Sequence, residues 1–89
     1  MSLNFEGYHD IPEHTRQTLV DYVELGYEPG GFVSAVLSNN LVEAFGRGDM
    51  RNIAALGSIV KFMYNRMPMN AWGSEERVLA HLNSFDASK

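Results

Sequence analysis

The residues with the most chemical potential are three histidines, and their spacing does not make a metal centre. His9, His14 and His81 are far apart in the chain, and no His-x-x-x-His or Glu-x-x-His pair occurs. Asp10 and His14 are four apart, but Pro12 between them breaks the helix that would align them. With no cysteine, thiolate zinc sites, disulfides and cysteine nucleophiles are all excluded. Acid–base catalysis needs two carboxyl groups held in a pocket with separated pKa values. The nearest pair, Asp21 and Glu24, falls on a polar helix face where water screens both. Ser34, Ser38, Ser58, Ser74, Ser84 and Ser88 lack a histidine at a motif spacing, and no Gly-x-Ser-x-Gly elbow is present. Gly46-Arg47-Gly48 lacks the Gly-Lys-Ser/Thr ending of a phosphate loop. The expectation is a protein that is not an enzyme, with no catalytic residue, no metal and no cofactor.

The side chains suited to contact chemistry lie elsewhere. Met67-Pro68-Met69-Asn70-Ala71-Trp72-Gly73-Ser74 reads as a loop, yet it holds two of the five methionines and the only tryptophan. Methionines and aromatics exposed together mark protein-binding surfaces; the alternative is that Trp72 folds back as a lid near Tyr64 or Val78, its N–H on a carbonyl. Charge supplies a second candidate. Residues 1–45 carry seven acids against Arg16 alone, a net −6, whereas residues 46–89 carry four acids and six bases, a net +2. The acidic side chains Asp21, Glu24 and Glu28 therefore join Met67, Met69 and Trp72 as candidate partner-binding residues. Arg47 and Arg51 make the one small basic patch on a helical face, which is the site for an alternative reading as a nucleic-acid accessory protein. A net charge of −4 disfavours that reading, because phosphate contacts need clustered Lys and Arg.

The elements that must position these groups read as helices. Pro12 suits a first helical turn, Glu13 complements the dipole, and Gly26 supplies a left-handed stop. Ile11, Thr15, Leu19, Tyr22, Val23 and Leu25 recur on one face, with Arg16, Asp21 and Glu24 opposite. Tyr27-Glu28-Pro29-Gly30-Gly31 is a turn. Phe32–Leu37 and Leu41–Phe45 are predicted as two short helices, with Asn40 in the capping segment between them. Asp49 caps a long central helix running to about Asn65 and ended by Pro68; its row Ile53, Leu56, Val60, Met63, Met67 lies beside Ala55, Ile59 and Phe62, a stripe wide enough for burial on two sides. Ser74 caps a last helix on which Val78, Leu79, Leu82 and Phe85 face inward. The expected fold is all-α, a compact bundle of four to five helices with a long central helix. It comprises an extended arm at 1–10, one helical domain at 11–85 and a frayed tail at 86–89.

Hydrophobic residues make up 45% and charged residues 20% of 89 residues, a balance that excludes a disordered chain. No apolar run reaches the roughly 18 residues of a membrane span, and no secretory leader is visible. Small domains bury a modest core, so a homodimer is a reasonable expectation.

Several segments, taken in order, are similar to a known group. Ile11-Pro12-Glu13-His14-Thr15, the stretch from Gly30 to Leu41, Ile59-Val60-Lys61-Phe62-Met63-Tyr64-Asn65 with Pro68, and Trp72-Gly73-Ser74 resemble small uncharacterised proteins of tailed bacteriophages. The resemblance covers most of residues 11–82 and brings no functional residue with it. It implies a phage gene product in the host bacterial cytoplasm. Together with the residue reading, it leads to the expectation of a protein-binding module with a protein partner of host or phage origin, which inhibits or modulates a host enzyme of defence or nucleic-acid processing. The alternatives are the nucleic-acid accessory protein above and a homo-oligomeric structural component.

Overall fold

A computed structural model of the chain describes residues 3–86. Among them there are helices and turns and no strand: α1 (Glu13–Val20) with a π-helical extension (Asp21–Leu25), α2 (Gly31–Leu37), α3 (Leu41–Arg47), α4 (Met50–Ala54), α5 (Leu56–Arg66), a 3₁₀ turn (Met69–Ala71) and α6 (Glu75–Asp86). The fold is an all-α bundle, as the periodicity of the sequence requires. Of the tail predicted at 86–89, Asp86 is the last residue of α6; 87–89, like residues 1 and 2 of the predicted arm, lie outside the described residues.

Local chemistry explains most boundaries. The Asn40, Asp49 and Ser74 side chains each accept from the backbone N–H three residues on, which satisfies one of the free donors at the starts of α3, α4 and α6. The π segment ends at Gly26, whose φ is +69°. A Cβ there would also lie 2.2 Å from the Phe85 ring, so both backbone and packing demand glycine.

The predicted helix from Asp49 to Asn65 is divided. Ala55 sits at φ −95°, ψ 4° and separates α4 from α5. The run Ile53-Ala54-Ala55-Leu56 contains no breaker, so propensity does not produce this division. The α4 segment is instead held by the Asp49 cap and by a buried hydrogen bond from Thr15 Oγ1 to Asn52 Oδ1 at 2.6 Å, while Leu56, Ile59, Phe62 and Met63 of α5 enter the core. The centre is shared: α2 buries Phe32, Val33, Ala35, Val36 and Leu37 and packs on α1, α3 and α6.

Residues 3–10 do not stand away as an arm. The Phe5 ring stacks on Phe62 at 4.2 Å, and Tyr8 meets the same ring edge-on at 5.4 Å. Asn65 Nδ2 donates to the Tyr8 hydroxyl, and Ser58 donates to the Asp10 carboxylate. The apolar side chains Leu3, Phe5 and Tyr8 thus cover α5 and extend a core that a chain of this length would otherwise leave thin.

Candidate functional site

The methionine and tryptophan segment is a built corner. Pro68 and Ala71 close the 3₁₀ turn through Ala71 N–H to the Pro68 carbonyl at 3.1 Å. From below, the Tyr22 hydroxyl donates to the Ala71 carbonyl at 2.6 Å, and Gly73 N–H donates to the Leu37 carbonyl at 2.7 Å. Tyr22 is itself fixed by His81, whose Nε2–H donates to the Tyr22 carbonyl at 2.8 Å and whose ring lies 4.5 Å from the phenol. Burial pushes the Tyr22 hydroxyl up from 10.0 to about 12, because the interior disfavours a phenolate.

This support splits the two methionines. Met67 is 5% exposed and belongs to the core, whereas Met69 is 75% exposed. Trp72 is half-buried, and its indole N–H is enclosed without a hydrogen-bond partner; the lid arrangement therefore forms without the expected carbonyl bond. Tyr64, also 75% exposed, stands across from Met69, and the two together with Trp72 and Arg77 line a recess of about 300 Å³. Arg77 closes it with one guanidinium nitrogen, 3.4 Å from the carbonyls of Met69 and Trp72. A thioether, two aromatic rings and a cation therefore converge on one concave patch. Chemically it can receive an apolar side chain flanked by a carboxylate.

The sequence marks Arg77 only as a charge and Tyr64 only as a packing neighbour. Tyr64 lies one turn beyond Val60, which is itself exposed although the stripe put it inside. Spacing alone had no signal for Arg77, because its position follows from where α6 docks.

The acidic candidates do not form one screened face. Asp21 and Glu24 lie in the π segment, whose wider turn changes the register of the side chains that follow it. Glu24 is half-buried with one carboxylate oxygen enclosed and unpartnered. Asp21 accepts from Gln17 Nε2 at 2.9 Å. Glu28 is exposed, and with Asp21 it borders a separate recess at Tyr27, Pro29 and Gly30.

The basic pair is also divided. Arg47 is the last residue of α3 and Arg51 belongs to α4, so the two do not share a helical face. Arg47 is engaged with Glu43 at 2.7 Å. His9 and His14 are exposed, and no group of three or more metal-ligating side chains gathers among the described residues. Within those residues no helix is long and apolar enough to cross a membrane. Comparison with protein-family models, with curated proteins and with solved structures finds no match to this chain.

Proposed function

We propose that this chain is a small phage-encoded, non-enzymatic protein-binding module of the host bacterial cytoplasm, which inhibits or modulates a host enzyme of defence or nucleic-acid processing. The observation that carries the reading is the recess of Tyr64, Met69, Trp72 and Arg77. Exposing a methionine and a tyrosine side by side leaves apolar area in water that a partner would remove. Tyr, Trp and Arg are the residue types that carry most interface energy, and here three of them surround one concavity. The hydrogen bonds beneath, from Tyr22 and Gly73, hold the recess in shape before any partner arrives, which lowers the ordering cost of binding. The nucleic-acid alternative is weaker, since Arg47 is paired and Arg51 sits on another helix.

The test uses the tagged chain as bait in bacterial lysate, beside Met69→Asp and Trp72→Ala. An anchor residue contributes about 2 kcal/mol, roughly thirtyfold in affinity, so either variant should release a stoichiometric partner. The purified partner should then change activity when titrated with the chain to equal concentration. Capture that survives both substitutions, or a captured enzyme indifferent to the chain, refutes the proposal.

A further inference from the structure

We propose that the chain pairs with a second copy of itself through α3, in an antiparallel contact with two-fold symmetry. The helix is seven residues long, and its outward side reads in pairs four residues apart: Leu41 with Phe45, Val42 with Gly46, Glu43 with Arg47. Successive helical residues turn by about 100°, so members of each pair lie on one line along the helix. An antiparallel two-fold axis brings each member of a pair opposite the other member in the second copy.

Each of the three pairings is complementary. On the outermost line, Val42 is 82% exposed, while nothing lies within 4 Å of a Cβ built on Gly46. The valine of each copy fills the space that the glycine of the other leaves open. On one flank, Leu41 and Phe45 are both more than half exposed, and each would cover the other across the axis. That flank borders the shallow groove between α3 and α5, floored by Val36, Ala44 and Leu56 and walled by Val60, so pairing also closes the groove. On the other flank, Glu43 and Arg47 are exposed at 51% and 60% and bridge one another within the helix. In the pair, Glu43 of each copy faces Arg47 of the other, giving two additional ion pairs. Glu75 of α6 lines the same recess as Glu43 and Arg47 and adds to the acidic side of this charge pattern.

A second copy fits this face better than an unrelated partner because the charges, the gap and the apolar side chains are self-matched in one register. The recess at Tyr64, Met69 and Trp72 is a separate concavity one turn further along α5 than Val60, and this inference does not depend on the function proposed above.

Sedimentation velocity from micromolar to millimolar concentration tests it. The mass should rise from 10.0 kDa toward twice that value. Glu43→Arg and Arg47→Glu each set like charges across the axis and should weaken pairing by about tenfold or more. Mixed in equal amounts, the two variants should pair with each other, because each supplies the charge the other lost; native mass spectrometry separates this mixed dimer from either homodimer. Gly46→Gln fills the gap with a good helix former and should remain a folded monomer by circular dichroism. A monomer at every concentration overturns the proposal, as does a dimer that none of these substitutions weakens. Failure to capture a host protein in the lysate experiment leaves this result unaffected.

Discussion

Replacing Tyr22 by phenylalanine removes one oxygen from the centre of the protein and should loosen the corner that presents Met69 and Trp72. The Tyr22 hydroxyl and the Ala71 carbonyl are 2.6 Å apart, and both residues are fully buried. The ring stays in place, so the cost is the lost hydrogen bond and the carbonyl left dry, about 1–2 kcal/mol. In a domain of this size each kcal/mol moves the Tm by about 4–8 °C, so the Tyr22→Phe midpoint should fall by about 5–15 °C at neutral pH. The pH dependence supplies a second readout. Because the folded hydroxyl titrates near 12 rather than 10.0, its neutral form contributes stability that is complete below pH 10 and lost as pH rises toward 12. The loss amounts to about 1–3 kcal/mol once both states are ionised. Urea unfolding followed by circular dichroism, from about pH 8 to about pH 11.5, should show the wild-type advantage over Tyr22→Phe shrinking across the upper half of that range. Emission from Trp72, the only tryptophan, reports on the corner itself and should shift in the variant before global unfolding. Equal midpoints at neutral pH, or a gap that stays constant through pH 11, would refute the reasoning.

Two further perturbations test how the elements are held. Thr15→Val removes the donor to Asn52 Oδ1 inside the protein and should cost about 1–3 kcal/mol; combined with Asn52→Leu, it should cost less than the sum of the two single changes, measured by a double-mutant cycle in urea. Two glycine changes should move stability in opposite directions in thermal melts. Gly26→Ala must accommodate a positive φ and the Phe85 ring and should lose about 2 kcal/mol or more. Gly46→Ala, in an open helical position, should gain about 0.5–1 kcal/mol; effects of the same sign at both sites would contradict the packing described.

The local signals were legible wherever one residue decides a boundary. Asn40, Asp49 and Ser74 cap helices because a short polar side chain reaches a backbone donor three residues on, and Gly26 stops a helix because it alone tolerates the left-handed turn without strain. The candidate site was legible only in part. Met69 and Trp72 were found from their presence in a loop, but Met67, two residues earlier, points into the core, because it follows α5 on the face that carries Met63. A polar helix face implies a solvated Glu24, whereas in the π turn it is half-buried; that turn has no composition of its own to betray it.

The sequence by itself determined that the protein is helical, where most helices begin and end, that no cysteine chemistry is available, and that apolar side chains crowd an unusual loop. These follow from interactions within a few residues, which periodicity and capping express directly. Only the tertiary structure decided that the helix after Asp49 divides at Ala55, that residues 3–10 pack on Phe62, that Arg77 closes the recess beside Tyr64, and that the outer side of α3 is left uncovered. The first two are set by contacts between residues tens of positions apart, Thr15 with Asn52 and Phe5 with Phe62, and the last two by where α6 and α3 dock. Their energy depends on how whole helices dock, which no local pattern in the chain encodes.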